Sequence, residues 1–175
     1  VKVQRPNIDK IIALDLQILL GLTQLAEKHI SEIRLYDPVG KTEEFSDALY
    51  KELDFIREGW NIDKFHENFV GDETIYVPKV YWEVTTRKVL TIEYIEGCKI
   101  TEFRKISDMG IDRKRIAVNG ARAIMKQIFV HGFFHGDPHP GNILIRSDGK
   151  IVFIDFGMMG RIDKLTKYKL AELII

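Results

Sequence analysis

The segment that most constrains the fold is the run from His135 to Asn142, which reads HGDPHPGN. Pro138 and Pro140 favour an extended or turning backbone, so the run predicts an irregular loop. Two short apolar segments follow, 143–146 and 151–155, and the Ser-Asp-Gly sequence between them predicts a β-hairpin. Before the loop, apolar residues recur at helical spacing and predict a buried helix: Ala117, Ala121, Ile124 and Ile128.

Three oxygen-bearing side chains lie on this loop and hairpin at a spacing that fits phosphoryl transfer. Asp137 is in the loop, Asn142 is at its end, and Asp155 comes 13 positions later, before Phe-Gly. Kinase catalysis needs an Asp that takes or orients the attacking hydroxyl, an Asn five residues on that holds a metal ion, and a second Asp for the metal that bridges the phosphates. The spacing therefore predicts a catalytic Asp137 and a metal site formed by Asn142 and Asp155.

Two other interpretations of the loop are open. Asp-Pro and Gly-Asn pairs are common turn formers, so the acidic residues could simply be solvated. His135, Asp137 and His139 also form a run of plausible metal ligands, but no further His or Cys cluster in the sequence completes a zinc site. We expect instead that His135 hydrogen-bonds the loop backbone and that His139 has a supporting role.

The rest of the sequence predicts an α+β chain in two lobes. Residues 1–4 read as the end of a strand, and two long helices follow, from about Ile8 to Ile30 and from the break at 37–40 to 68. Segments 75–85 and 88–95 are rich in β-branched and aromatic residues and predict an antiparallel pair. We place the boundary near Glu96, with residues 1–96 in the first lobe and 97–175 in the second.

Lys2 is the candidate for contacting nucleotide phosphates. It is flanked by valines on the predicted first strand, where a kinase places its phosphate-binding lysine. Such a lysine is held by a glutamate on the following helix. At 3.6 residues per turn, Glu52 lies beside the apolar stripe of the second helix, whereas Asp54 and Glu58 point nearly the opposite way, so helix geometry favours Glu52. Ordinary surface charge is the alternative for each acid.

The overall composition excludes several classes of protein. The formal net charge is zero, so no whole-chain field would attract a nucleic acid. Cys98 is the only cysteine, which excludes an internal disulfide and fits a reducing compartment. No signal-peptide pattern opens the chain. The longest apolar stretch, Ile11 to Leu22, contains Asp15 and is shorter than the roughly 20 residues that cross a bilayer.

Taken together, four segments resemble the UbiB family of atypical kinases: VKVQRP at 1–6, KELDF at 51–55 with Glu58, EYIEG at 93–97, and the His135 loop. The most specific element is the Glu52-x-Asp54 pair, which ordinary kinases lack. In the family this pair couples to an amino-terminal Lys-x-Gly-Gln segment over the active site. The glutamate six residues on, here Glu58, matches the partner of the lysine, so the resemblance and the helix geometry disagree.

The resemblance covers essentially the whole chain and implies a two-lobed protein-kinase-like fold that binds ATP and Mg²⁺. The backbone of Glu93, Tyr94 and Ile95 would be the hinge that contacts adenine, and Asp54 joins the cofactor-binding set. The implied activity is that of an ATPase or small-molecule kinase in isoprenoid-quinone (ubiquinone) metabolism, with isoprenoid lipids or quinone-biosynthesis proteins as partners. The implied location is cytoplasmic, peripheral to or anchored at the inner membrane through segments outside this chain.

Two family parts, the Lys-x-Gly-Gln segment and the loop that covers the phosphates, would lie upstream of Val1, and the anchoring region beyond Ile175. We therefore expect a fragment, truncated at the start of the first lobe and in the second, that binds nucleotide weakly or not at all on its own. One alternative function is a small-molecule kinase of the aminoglycoside or choline kinase type, which Glu52-x-Asp54 disfavours. Another is a nucleotide-gated module that binds lipid or a biosynthetic complex, which the intact Asp137 and Asp155 disfavour.

Overall fold

The computed structural model describes residues 1–172, and these form six α-helices and eight short strands. The helices are α1 (Ile8–His29), α2 (Pro38–Glu52), α3 (Phe55–Asn68), α4 (Phe103–Asp108), α5 (Arg113–Met125) and α6 (Lys164–Glu172). The strands are β1 (Lys2–Val3), β2 (Ile75–Tyr76), β3 (Val89–Leu90), β4 (Cys98–Lys99), β5 (Phe133–His135), β6 (Ile143–Ile145), β7 (Ile151–Phe153) and β8 (Met159–Arg161). Residues 173–175, at the end of the predicted second lobe, lie outside the described residues.

The strands form three small sheets. β1 pairs antiparallel with β3, β5 pairs antiparallel with β8, and the largest sheet has the order β2-β7-β6-β4. β6 and β7 are the predicted hairpin, and Gly149 in its turn has a φ of 82°, which a residue without a side chain adopts readily. β2 precedes residue 96 and pairs with β7, so the largest sheet crosses the predicted lobe boundary. The division into two lobes at residue 96 stays a prediction.

The predicted antiparallel pairing of 75–85 with 88–95 is correct only in the middle of these segments. Val80 and Ile92 form an antiparallel bridge there. The start of the first segment, β2, instead pairs in parallel with β7, and a 3₁₀ turn at Trp82–Val84 interrupts its end. Pro78 separates the two pairings, since proline has no N–H to continue a ladder.

The second long helix of the sequence interpretation is in fact two helices, α2 and α3. Asp54 lies between them with an extended backbone, and its carboxylate accepts a hydrogen bond from the Ile56 N–H at 3.0 Å. Asp54 is therefore the N-cap of a new helix. The apolar spacing continues across the break, through Leu49, Leu53 and Ile56, which is why the pattern suggested one helix.

The helix before the loop is present, but the buried face was predicted incorrectly. α5 buries Ile116 and Ala123, and a π-helical turn, Lys126–His131, continues it and buries Gln127. The residues expected to be buried are exposed or half-buried: Ala117, Ala121, Ile124 and Ile128. The buried residues Ile116, Ala123 and Gln127 also recur at helical spacing, so periodicity alone did not decide which face of this helix is buried.

An aromatic cluster joins α3 to the end of the hairpin. The ring of Phe65, on α3, lies 4.6 Å from Phe69, 5.6 Å from Phe153 and 5.1 Å from Phe156, between ring centroids. Phe65 and Phe156 are fully buried. Burial of each such side chain contributes roughly 1.5–3 kcal/mol. This packing fixes α3 against the segment that carries Asp155.

Within residues 1–172, no helix has both the length and the hydropathy that crossing a bilayer requires.

Candidate active site

The predicted catalytic and metal-binding residues converge on one cavity of about 380 Å³. Its walls come from β1, the α2–α3 junction, the loop after β5, and the segment after β7. The lining residues are Lys2, Glu52, Phe55, Glu58, His135, Asp137, Asn142, Asp155, Gly157 and Met158. Asp137 and Asp155 thus face the same space, as the sequence spacing predicted.

Lys2 is held by a buried glutamate. Its ammonium forms an ion pair with Glu58 Oε1 and lies 3.5 Å from Asp155 Oδ1. Glu58 is only 5% exposed, and its Oε1 also accepts the Phe156 N–H at 3.1 Å. A buried carboxylate is tolerated when a cation and hydrogen bonds compensate it, so this contact fixes β1, α3 and the segment after β7 relative to one another.

The prediction from helix geometry that Glu52 pairs with Lys2 is wrong, and the resemblance was right to favour Glu58. The geometric argument assumed a continuous helix, whereas α3 begins anew at Phe55 and turns Glu58 inward. Glu52 ends α2 at the rim of the cavity. Burial raises the pKa of Glu52, and the nearby carboxylates of Asp155, Glu58 and Asp137 raise it further. The cavity therefore carries negative charge that Lys2 does not fully offset.

His135 organises the loop through both of its ring nitrogens. Its Nδ1 accepts the Asp137 N–H at 3.2 Å, and its Nε2 contacts the Asp155 carbonyl oxygen. A ring nitrogen that accepts an N–H has no proton, so the proton is on Nε2, which donates to Asp155. The expected bond from His135 to the loop backbone is confirmed, and it ties the two aspartates together.

The hairpin aligns Asn142 with Asp155. Ile143 pairs with Phe153 in the β6–β7 ladder, and the Ile154 N–H donates to the Asn142 carbonyl at 3.0 Å. Asn142 and Asp155 therefore leave the same end of the hairpin. The Asp155 Oδ1 accepts the Gly157 N–H at 3.1 Å, which orients the carboxylate.

The structure does not support a zinc site in the His135 loop, because the histidines there contact backbone groups. Both ring nitrogens of His135 contact the backbone, and Nδ1 of His139 accepts the Gly141 N–H at 3.0 Å. In the described part of the chain, no group of three or more His, Cys, Asp or Glu side chains is arranged to hold a metal ion. Asn142 and Asp155 instead offer hard oxygen donors of the kind that Mg²⁺ takes together with water and phosphate oxygens.

Some predicted residues do not line the cavity: Asp54, Glu93, Tyr94 and Ile95. Asp54 caps α3. The Glu93 carboxylate accepts hydrogen bonds from the Tyr76 hydroxyl at 2.7 Å and the Lys79 N–H at 3.1 Å, so its side chain has a structural role. Tyr94 is 87% exposed. The hinge role of the backbone at 93–95 stays a prediction.

Sequence reasoning missed two residues that hold the backbone of the site in place. Gln127 is fully buried, and its Oε1 accepts the His135 N–H at 2.8 Å. Asn61, on α3, donates to the Phe156 carbonyl at 2.9 Å. The available signal for Gln127 was its helical spacing from Ile116 and Ala123, which places the three residues on one face.

The chain matches the ABC1 atypical kinase-like domain over residues 1–175. "Protein ACTIVITY OF BC1 COMPLEX KINASE 7, chloroplastic" of Arabidopsis thaliana is 42% identical over 99% of this chain and 25% of its own length. "Probable protein kinase UbiB" of Cellvibrio japonicus is 34% identical over 98% of this chain and 32% of its own length. The chain thus spans about a quarter to a third of these relatives.

A solved structure with a similar fold is that of Rv3197 from Mycobacterium tuberculosis in complex with erythromycin. It superposes with a TM-score of 0.69 over 91% of this chain and 39% of that chain, at 23% identity. At this identity the likeness concerns the fold alone. With the family match, it confirms the predicted α+β, protein-kinase-like fold.

Proposed function

Because the chain belongs to the ABC1 atypical kinase-like domain family, we propose that it forms the nucleotide site of an ATP- and Mg²⁺-dependent phosphotransferase or ATPase. The observation that supports this proposal is the convergence of Lys2, Asp137, Asn142 and Asp155 on one cavity. Each of these side chains has a defined role in phosphoryl transfer.

Lys2 binds phosphate oxygens of the nucleotide. Its ammonium is held between Glu58 and Asp155, and its side chain remains 33% exposed, so it is fixed but still accessible from the cavity. An ion pair with a buried glutamate limits the positions of a flexible lysine before the nucleotide arrives. The phosphates therefore meet a cation that is already oriented.

Asn142 and Asp155 would hold Mg²⁺. Their amide and carboxylate oxygens suit this cation, and they leave the same end of the hairpin. The raised pKa of Glu52, caused by burial and then by Asp155, Glu58 and Asp137, reflects negative charge that a divalent cation would offset. When bound, Mg²⁺ neutralises charge on the phosphates.

Asp137 orients the nucleophile and receives its proton. Its backbone is fixed by the hydrogen bond to His135, which in turn donates to the backbone of Asp155. As the oxygen of the acceptor hydroxyl, or of water, bonds to the terminal phosphorus, the Asp137 carboxylate takes the proton, and ADP leaves with the electron pair of the broken P–O bond.

The biological setting that we propose is isoprenoid-quinone lipid metabolism, with a small-molecule acceptor or water in preference to a protein. Its support is the resemblance of the quoted motifs to UbiB kinases, together with the 34% identity to a relative that carries the UbiB name. Association with a membrane or with quinone-biosynthesis proteins would belong to the whole protein.

Replacement of Asp155 by Asn in the full-length protein tests the proposal. We expect Asp155→Asn to abolish the Mg²⁺-dependent component of binding of a fluorescent ATP analogue and to lower turnover by at least 100-fold, about 2.7 kcal/mol of transition-state stabilisation. Asp108→Asn, an exposed change on α4, is the control and should leave both unchanged. Unaltered Mg²⁺-dependent binding in Asp155→Asn would contradict the proposal.

A further inference from the structure

The side chain of Gln4 joins the first strand to the junction between α2 and α3. Gln4 directly follows β1, and its backbone N–H donates to the Lys88 carbonyl at 3.0 Å, so it continues the pairing of β1 with the segment before β3. Side chains two positions apart on an extended strand lie on the same side. Lys2 and Gln4 therefore extend in the same direction. Lys2 reaches Glu58 on α3, and Gln4 reaches Leu53 at the junction.

The amide of Gln4, which is half-buried, acts only as a donor in these contacts. Its Nε2 donates to the carbonyl oxygen of Leu53 and, at 3.3 Å, to that of Arg87. A carbonyl oxygen can only accept, so these partners determine which end of the amide faces them. Because an amide NH₂ group has two N–H donors, Gln4 can make both hydrogen bonds at once.

The two carbonyls belong to segments that set where α3 begins. Leu53 follows the last residue of α2, where a helix leaves carbonyl groups without an intrahelical donor. The Arg87 carbonyl also accepts the N–H of Phe55, the first residue of α3, at 3.1 Å. The Arg87 Nε lies 3.8 Å from Oδ2 of Asp54, the N-cap of α3. The Gln4 amide therefore connects β1 to the start of α3 through both segments.

The start of α3 decides where the counter-ion of Lys2 lies. Glu58 is in the first turn of α3, and its carboxylate forms the ion pair with the Lys2 ammonium. Lysine has a flexible four-carbon side chain, so a fixed counter-ion places its charge only if the backbone at the other end is also fixed. Within the described residues, β1 pairs with β3 over two positions, Lys2 with Leu90 and Val3 with Val89. The Gln4 amide adds a side-chain contact to this short pairing.

We propose that Gln4 is a positioning residue for Lys2. Its amide holds β1 against the start of α3, so that the Lys2 ammonium keeps its place between Glu58 and Asp155. The inference rests on the proposed function, because that function gives Lys2 its contact with the nucleotide phosphates. In the described part of the chain, Gln4 is outside the residues that line the cavity of Lys2 and Asp137, so it acts through Lys2.

This role predicts a loss of affinity that depends on the phosphates of the ligand. Without the amide donor, β1 can shift relative to α3, and the Lys2 ammonium leaves the position at which it meets the phosphates. Adenosine has no phosphate for Lys2 to contact, so its binding should be unchanged. A general loss of stability would instead weaken both ligands alike, because it would lower the fraction of folded protein to which either can bind.

Calorimetric titration of the full-length protein with a non-hydrolysable MgATP analogue and with adenosine tests the inference. Gln4→Met keeps the length of the side chain and removes the donor. It should weaken binding of the analogue by about fivefold to tenfold and leave adenosine binding unchanged. In the Lys2→Met background, Gln4→Met should weaken the analogue by less than about twofold, because the residue through which Gln4 acts is gone. Gln24→Met, an exposed change on α1, is the control and should alter neither affinity.

Three results would overturn the inference: wild-type binding of the analogue in Gln4→Met, an equal loss for the analogue and adenosine, or an undiminished effect of Gln4→Met in the Lys2→Met background. If Lys2→Met does not fold, the comparison of the two ligands in Gln4→Met decides. Failure of the proposed function gives a different result, since Asp155→Asn would then retain Mg²⁺-dependent binding. Loss of that binding in Asp155→Asn, together with wild-type binding in Gln4→Met, counts against the inference alone.

Discussion

The ion pair between Lys2 and Glu58 predicts an unequal response to removal of its two partners. Lys2→Met leaves the Glu58 carboxylate, 5% exposed, with only the Phe156 N–H as a partner. Loss of one member of a buried pair destabilises a protein by about 3–5 kcal/mol. Because the Lys2 side chain is 33% exposed, we expect the lower end, about 3 kcal/mol of unfolding free energy.

The reverse change should be milder. Glu58→Gln keeps an oxygen that can accept the Phe156 N–H, and Lys2 can turn to water while it stays near Asp155 at 3.5 Å. The expected loss is about 1.5–2 kcal/mol, at the lower end of the range for a hydrogen bond to a charged group. The double variant should lose less than the sum of the two single losses, by about 1 kcal/mol or more, because the unpaired buried charge is gone.

Urea unfolding followed by tryptophan fluorescence gives the three free energies, with the slope against urea checked for constancy. Lys88→Met is the matched control, since Lys88 Nζ lies 3.9 Å from Asp9 between two exposed side chains and its loss should cost at most about 1 kcal/mol. Additive losses, or a greater loss from Glu58→Gln than from Lys2→Met, would refute the reasoning.

Two further predictions concern the elements beneath the site. Gly132 has a φ of 63°, and a Cβ there would lie 2.7 Å from the Ile162 carbonyl oxygen. At Gly71, φ is 81° but the surrounding space is open, so an added Cβ meets only about 1–2 kcal/mol of backbone strain. Gly132→Ala should therefore lower the melting temperature clearly more than Gly71→Ala. Burial raises the pKa of Asp72, but hydrogen bonds from Lys126 and Thr74 outweigh it and hold the value at about 2. This carboxylate therefore stabilises the fold above about pH 4 and loses its contribution as pH falls toward 2. Asp72→Asn should lower the free energy of unfolding by about 1–2 kcal/mol at pH 7, allowing for solvent screening. Chemical denaturation should show that the difference between Asp72→Asn and wild type shrinks below pH 4.

The arrangement of the loop residues could be predicted from sequence because their spacing is set by short-range geometry. Between Asn142 and Asp155 there is only a hairpin, and a hairpin with a glycine at its turn brings its two ends together whatever the rest of the chain does. The positions of Asp137 and His135 follow from the same short segment. These contacts span few residues, so local patterns are sufficient.

The contacts that the sequence did not reveal depend on irregular backbone. The N-cap at Asp54 ended a pattern that looked continuous, and the helix before the loop buries Ile116 and Ala123 instead of Ala117 and Ala121. Gln127 lies on the same face as Ile116 and Ala123, and its hydrogen bond to the His135 N–H is a contact that helical periodicity does not reveal. Helical periodicity assumes a constant rotation per residue, and it fails wherever a cap or an inserted residue changes that rotation.

The interruption at Asp54 also separates the two glutamates mechanically. Glu58 lies on α3, which packs against Phe156 through the ring of Phe65. Glu52 is the last residue of α2, which packs mainly against α1. If α2 tilts, Glu52 moves with it and the lysine keeps its counter-ion. The junction at Leu53 and Asp54 therefore places Glu52 and Glu58 on separately packed helices, so a change in the position of α2 would not by itself displace the counter-ion of Lys2.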